Sequence, residues 1–173
     1  MKPAVILLLL STFAFAQDPA AVSAAQAACG PPAINYDTKR DLTTHPLGKV
    51  EDGKALVYMI QDIGVNRCVG NCLSIKVGMD GNWIGANEHN SYFSFSVDPG
   101  EHHLCVNRQS HFKVASQMVA LAHFTAEPGR TYYFRARTHG SQTEAFLDLD
   151  LIDSDQGQLF VASYPVSVFH PKK

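Results

Sequence analysis

The segment HNSYFSFSVDPGEHHLC, from His89 to Cys105, carries the side chains best suited to chemistry. It contains His89, His102 and His103 together with a glutamate and a cysteine. Imidazole is a usual protein ligand of zinc and copper, so a zinc or copper site that uses His89 with His102 or His103 is one hypothesis. Strand alternation places His102 and His103 on opposite faces, so they cannot bind one metal from the same side. Solvated histidines beside a turn are the simpler interpretation, and we expect no cofactor.

Four cysteines allow three disulfide pairings. Cys68 and Cys72 bracket a Gly-Asn turn, and only a tight turn brings cysteines four positions apart within bonding range. Pairing these two leaves Cys29 with Cys105. Loop closure gives roughly 2 kcal/mol for the short ring and roughly 4.5 kcal/mol for the long one. Zinc at Cys68 and Cys72 is the weaker alternative, because no second close cysteine pair supplies further ligands.

Residues 1–16 predict an export signal. Lys2 precedes an apolar run, and the small-x-small sequence at 14–16 is typical of a signal-peptidase site. The run is too short for a membrane span, and no second run of spanning length follows. Lipidation at Cys29 is a minor alternative, because a lipoprotein signal places its cysteine directly after the apolar core. We therefore expect a secreted or periplasmic protein in which cysteines form disulfides.

Charge argues against a nucleic-acid partner. Without residues 1–16, and hence without Lys2, the chain carries 13 Lys and Arg against 16 Asp and Glu, a formal charge of −3. That balance offers no basic patch for nucleic acid. All eight histidines lie beyond residue 16, so mild acid should change the charge strongly.

Apolar residues alternate with polar ones from residue 54 onward, which predicts strands. Asp-Gly and Pro-Gly pairs between them are typical turns, and Asp153 before a helical segment is a typical helix cap. Residues 17–50 lack such a period and predict an extended N-terminal arm, and residues 51–173 predict one all-β, antiparallel β-sandwich of about seven to nine strands with one short C-terminal helix ending near Ser163. The predicted strands are 54–60, 73–79, 93–97, 102–107, 117–126, 131–138, 144–152 and 166–169.

An acidic run near the helix could supply oxygen ligands for calcium. A simpler interpretation needs no metal. Residues 131–138 and 144–152 would form a hairpin in which the carboxylates on the second strand pair with residues across the strands, and Asp153 would cap the helix. The carboxylates are Asp148, Asp150, Asp153 and Asp155, and the predicted register sets Phe134 opposite Leu149, Ala136 opposite Leu147, Arg135 opposite Asp148 and Tyr133 opposite Asp150.

Trp83 is the single tryptophan and follows an Asp-Gly turn. With Tyr92 it could form an aromatic platform for a glycan or peptide, since aromatic side chains are enriched at interfaces. The alternative is that Trp83 closes the core.

The segments DGNWIG, HNSYFSFSVDPGEHHLC, ALAHFTAEPGRTYYFRAR and IDSDQGQLFVASYP resemble, in this order, an exported bacterial domain-of-unknown-function family, the 2846 family of DUF-type domains. Its members share DG-x-W-x-G, then SYF, then V-x-P-G-x-H, and the resemblance covers about residues 54–170. The Pro-Gly strands are more weakly similar to PEGA-type β-sandwich modules. The resemblance implies a small envelope β-sandwich with no established activity and no catalytic residues. Many members look like lipoproteins, and this chain departs from that pattern at Cys29.

These observations favour a non-catalytic, secreted or periplasmic, envelope-associated interaction module. Its partner would be an unknown envelope protein or polysaccharide. The sequence lacks the G-x-S-x-G elbow of serine hydrolases, and its thiols are expected to be oxidised, so we do not expect an enzyme. The alternative is the zinc- or copper-binding protein described above.

Overall fold

The computed structural model describes residues 27–31, 34–63, 74–109, 118–140 and 145–172. These residues form ten strands and a short C-terminal helix, which confirms the predicted sandwich with slightly more strands than expected. The elements are β1 (Tyr36–Asp41), β2 (Ala55–Asp62), β3 (Ile75–Met79), β4 (Asn82–Asn87), β5 (Ser91–Val97), β6 (Gly100–Arg108), β7 (Val119–Ala126), β8 (Thr131–Gly140), β9 (Ala145–Ile152), α1 (Ser154–Ser163) and β10 (Val166–Pro171).

The strands form two sheets. One has six strands in the order β1-β10-β5-β2-β8-β9, and the other has four in the order β4-β3-β6-β7. Most neighbours are antiparallel, as predicted, but β2 pairs with β8 and β10 pairs with β5 in parallel. Parallel neighbours need a long crossover instead of a tight turn, so adjacent turn signals in the sequence do not reveal them.

The main core lies between the two sheets. Alternate residues of the strands point inward, so the period of two that predicts the strands also selects the core. A large apolar side chain buried in such a core contributes roughly 1.5–3 kcal/mol. The buried residues of this core are Ala55, Val57, Met59, Ile75, Val77, Phe93, Val97, Leu104, Val106, Phe124, Ala126, Phe134, Ala136, Leu147 and Leu149.

A second, smaller core lies on the other face of the six-stranded sheet, under α1. Tyr58 of β2 stacks on Tyr133 of β8 with ring centroids 5.1 Å apart, and Val161 of α1 packs against them. Asp153 caps the helix by accepting a hydrogen bond from the Gln156 amide at 2.9 Å, as predicted. Because both of its faces are covered, β2 is buried along almost its whole length.

Two kinds of turn organise the sandwich. Asp80 and Gly81, with φ of 49° and 84°, form the left-handed two-residue turn that suits the β3–β4 hairpin. The Pro99-Gly100 turn instead leads from β5 in the six-stranded sheet to β6 in the four-stranded sheet. The two strands around this turn therefore belong to opposite layers.

The N-terminal arm contains a strand that its sequence did not predict. β1 pairs with β10 along all six of its residues and forms one edge of the six-stranded sheet. Only Tyr36 of this strand is buried, so an alternating apolar pattern is missing from its sequence. Cys29 is bonded to Cys105, with 5.2 Å between their Cα atoms, which confirms this predicted pairing. Residues 1–26, Cys68 and Cys72 lie outside the described residues.

The predicted register of the β8–β9 hairpin is wrong by two residues. Phe134 lies opposite Leu151 and Ala136 opposite Leu149, instead of Leu149 and Leu147. A shift of two leaves every side chain on its predicted face, so matching of apolar faces could not distinguish the two registers. Within the described ranges, no helix is both long and apolar enough to cross a membrane.

Candidate binding face on β6 and β7

β6 positions its two adjacent histidines on opposite faces, as strand alternation predicts. It lies between β3 and β7 in the four-stranded sheet. His102 lies opposite Phe124, and their rings are 5.7 Å apart, whereas His103 points to the outer, exposed face. The two histidine side chains therefore lie in different environments, one against Phe124 and one on the exposed face.

Both ring nitrogens of His102 contact oxygen acceptors. Nδ1 lies 2.6 Å from Asp80 Oδ2, and Nε2 lies 2.8 Å from the Asp98 carbonyl oxygen. The other Asp80 oxygen accepts a hydrogen bond from the His103 amide at 2.9 Å. Since a carbonyl oxygen and a carboxylate only accept, the imidazolium with two N–H groups satisfies both contacts. The hydrogen bonds of His102 thus link the β3–β4 turn to the β5–β6 turn.

The pKa values of this group follow from the same contacts. Burial alone would lower the pKa of His102, but its bonds to Asp80 and to the Asp98 carbonyl outweigh burial and raise it above 6.5. Burial alone would raise the pKa of Asp80, but the His103 amide and His102 outweigh burial and lower it below 3.8. Both shifts favour the charged pair of His102 and Asp80 over its neutral form.

His103 lies directly opposite His123 of β7. Their ring centroids are 5.0 Å apart, the ring planes are inclined by 42°, and both side chains are exposed. The antiparallel pairing fixes the two Cα atoms and holds the Cβ atoms about 4.5–5.5 Å apart, so the two rings are within reach of each other.

These histidines belong to a larger exposed surface, which we call the β6–β7 outer face. Its apolar part comes from Val119 and Leu121, which are 41% and 42% exposed. Its polar part comes from both strands. The residues of the β6–β7 outer face are Glu101, His103, Val119, Leu121, His123 and Thr125.

The arm covers the other half of the same sheet. Trp83 Nε1 donates to the Pro31 carbonyl at 2.6 Å, and Lys76 Nζ lies 4.2 Å from the Trp83 ring centroid. Lys76 also donates to the Ile34 carbonyl at 2.8 Å, and burial lowers the pKa of Lys76. The disulfide to Cys105 marks the boundary between the covered half and the β6–β7 outer face.

His89 is not part of this site. Asn87 pairs with Ile75 at one end of β3, whereas Leu104 pairs with Met79 at the other end. His89 and His102 lie beyond these opposite ends, at least about 13 Å apart along the strand. The structure therefore does not bring His89 together with His102 or His103, and no group of three or more metal-ligating side chains occurs in the described residues. Burial and the nearby Arg40 lower the pKa of His89.

Trp83 and Tyr92 do not form a shared platform. Trp83 is half-buried in the four-stranded sheet under the arm. Tyr92 is fully buried in the six-stranded sheet beside Tyr58, and its hydroxyl donates to the Pro46 carbonyl at 3.2 Å. Trp83 thus packs under the arm and is not among the buried residues of either core.

The acidic run is divided between a strand pair and the helix. Arg137, and not Arg135 as predicted, lies opposite Asp148, and its Nη2 is 3.0 Å from Asp150 Oδ2. Asp153 is occupied as the helix cap. The carboxylates proposed for calcium therefore do not converge.

Sequence reasoning missed two partners of the site, Asp80 and His123. In the sequence Asp80 is recognisable only as a turn residue, whereas in the fold its carboxylate reaches His102 and the His103 amide on β6. His123 lies on a predicted strand that alternates Ala122 and Phe124 inward with His123 outward. Only the pairing of β7 with β6 brings His123 beside His103, and this pairing has no local signal in the sequence.

Comparison with known proteins places the chain in a family. A family model described as protein of unknown function (DUF2846) matches residues 51–148, which is more than half of the chain. The chain belongs to the DUF2846 family. Comparisons with curated proteins and with solved structures gave no match. The resemblance to PEGA-type modules stays a prediction.

The DUF2846 match contains the two motifs that meet in the site. Asp80 begins the DG-x-W-x-G motif and His102 ends the V-x-P-G-x-H motif, and the two side chains are hydrogen-bonded. A Cβ added to Gly85, the last residue of the first motif, would lie 2.7 Å from ring atoms of Phe93 and Phe169. Asp80, Gly85 and His102 therefore make contacts or close approaches that the fold itself requires. Cys29, β1, α1 and β10 lie outside the matched residues.

Proposed function

We propose that the protein is a non-catalytic, exported module that binds a protein or polysaccharide of the cell envelope through the β6–β7 outer face. The observation that carries this proposal is the disulfide between Cys29 and the fully buried Cys105. Disulfides of this kind form and persist in oxidising compartments, which supports export. The disulfide also holds the arm on one half of the sheet and leaves the other half exposed.

The composition of the exposed half suits a binding surface. It combines two partly exposed aliphatic side chains with a histidine pair and a rim of polar residues. Binding surfaces typically place apolar contact area within such a polar rim. The arm already covers the tryptophan, so an envelope partner would contact β6 and β7 instead of an aromatic platform.

The non-catalytic character is supported by how the reactive side chains are used. Cys105 is committed to the disulfide, and both nitrogens of His102 are bonded to acceptors. A catalytic base needs a ring nitrogen that faces its substrate, and His102 offers none. We therefore assign His102 to fold stability.

Cosedimentation with isolated cell envelope tests the proposal. The double variant Val119→Ser with Leu121→Ser removes the apolar part of the β6–β7 outer face. We expect envelope binding by this variant to weaken about fivefold or more, which corresponds to about 1 kcal/mol. The measurement is the bound fraction against envelope concentration, with the disulfide intact.

Leu159→Ser is the matched control, since Leu159 is 64% exposed on α1, away from this face. It should bind as the wild type does. Equal binding by the wild type and the double variant, or equal weakening in the control, would contradict binding through β6 and β7.

A further inference from the structure

We propose that His103 and His123 together form a copper(II) site on the β6–β7 outer face. This pair differs from the histidines that the sequence suggested, because His123 replaces His89 as the second ligand. The inference goes beyond the proposed function and does not depend on export or on an envelope partner.

The spacing of the two rings fits joint coordination. Imidazole nitrogens bind such metals at about 2.0–2.1 Å, so two rings on one ion at angles of about 90–110° have centroids roughly 4.5–5.3 Å apart. The observed centroid distance of His103 and His123 is 5.0 Å. The distance between the rings is therefore that of two imidazoles on one ion, once each ring turns a nitrogen toward it.

The strands hold the pair in place before any ion binds. His103 and His123 are directly paired residues in a register that continues without a break from Gly100 to Asn107. β6 is also hydrogen-bonded to β3 on its other side, and the His103 amide is bound to Asp80. Because the backbone is fixed, binding an ion costs mainly side-chain freedom.

The donor set and its exposure favour copper(II). Imidazole suits copper, nickel and zinc, and copper(II) binds a given nitrogen site most strongly among the divalent first-row metals. Both rings are exposed, so water can fill the remaining coordination positions.

Copper(II) titration of the purified, oxidised protein tests this inference. We expect one ion to bind at neutral pH, with pulsed electron paramagnetic resonance showing two coordinated imidazoles. His123→Ala and His103→Ala should each weaken binding about tenfold or more and leave one imidazole on any ion that still binds. Acidification should weaken binding by the wild type, because imidazole binds a metal only when it is deprotonated.

His45→Ala and His170→Ala are the matched controls, because both histidines are exposed and lie away from β6 and β7. Their copper affinity should equal that of the wild type. Unfolding midpoints check that each variant is folded, and His123→Gln provides a second variant with a neutral polar side chain. Unchanged binding in the His103 and His123 variants, loss in only one of them, or equal loss in the controls would overturn the site.

Discussion

Both ring nitrogens of His102 face oxygen acceptors, so its protonation is coupled to the stability of the fold. The raised pKa of His102 means that its contribution is fully present below the unfolded value of 6.5 and is lost as pH rises through the raised folded value. The lowered pKa of Asp80 means that its contribution is present above 3.8 and is lost as pH falls through the lowered folded value. The pair of His102 and Asp80 therefore stabilises the protein most between pH 3.8 and pH 6.5, where both contributions are present.

His102→Gln should lower the free energy of unfolding by about 1–2 kcal/mol near pH 6, because the charge-assisted hydrogen bonds from His102 to Asp80 and to the Asp98 carbonyl are lost. The difference from the wild type should shrink as pH rises through the raised pKa of His102. Urea unfolding at several pH values measures this difference. His45→Gln, at an exposed position, serves as the control and should change little. A difference that stays constant with pH would contradict the role of the imidazolium.

At the residue scale, the sequence predicted the opposed faces of His102 and His103 because alternation in a strand is local. It also predicted Asp153 as the helix cap, for the same reason. The contacts of His102 with Asp80 and of His103 with His123 join residues 22 and 20 positions apart. Such contacts depend on strand pairing, which composition and spacing leave open.

The disulfide is the element-scale contact with the largest expected effect on stability. It closes a loop with a sequence separation of 76. In the chain-entropy model this closure stabilises the fold by about 4.5 kcal/mol. The double variant Cys29→Ala with Cys105→Ala should therefore unfold at much lower urea concentration than the wild type.

The matched control for the disulfide variant is Cys68→Ala with Cys72→Ala. If these two cysteines form the predicted short ring, its loss should cost about 2 kcal/mol, clearly less than loss of the long one. An equal or larger effect of the control would contradict the assignment of the Cys29–Cys105 bond as the main covalent constraint.

The packing of α1 against Tyr133 of β8 gives a second prediction at the scale of the elements. A methyl group at Gly157 would overlap the Tyr133 ring. Although alanine favours helix by about 1 kcal/mol over glycine, forcing an extra group into a packed contact costs about 1–3 kcal/mol. We expect Gly157→Ala to destabilise the protein in thermal or urea unfolding.

Leu159→Ala, on the exposed side of α1, is the control and should be close to neutral. Stabilisation by Gly157→Ala would mean that helix propensity outweighs the contact with Tyr133 and that α1 is less tightly seated than the structure indicates.

At this scale, most strands and the helix could be predicted because each carries its own period or cap. β1 could not, since as an edge strand it buries only Tyr36. The β8–β9 register was also undetermined, because shifts by two residues preserve the faces of Phe134 and Ala136. The parallel pairing of β2 with β8 depends on the whole topology and has no local signal.

The whole molecule should respond to mild acid through its eight histidines. Without residues 1–16 the formal charge of −3 moves toward +5 when all of them are protonated. Adsorption to anionic beads should therefore rise below about pH 6. A variant with four exposed histidines replaced by glutamine, at His45, His103, His123 and His170, should show a clearly smaller rise.

Uncharged beads are the control for that adsorption and should show no comparable pH dependence. Adsorption to anionic beads that is flat between neutral and mildly acidic pH would contradict the surface-charge interpretation. This experiment is separate from copper binding, because adsorption increases in acid whereas copper binding decreases.

Non-reducing peptide mapping of the protein recovered from cells tests most directly whether it is an exported, disulfide-pinned module. We expect the extracellular or periplasmic fraction to contain a chain that begins at Gln17 and yields Cys29 and Cys105 in one cross-linked peptide, because cleavage of the signal and oxidation accompany export. A chain that is found only in the cytoplasm with Cys105 as a free thiol would contradict both the proposed export and the role of the disulfide.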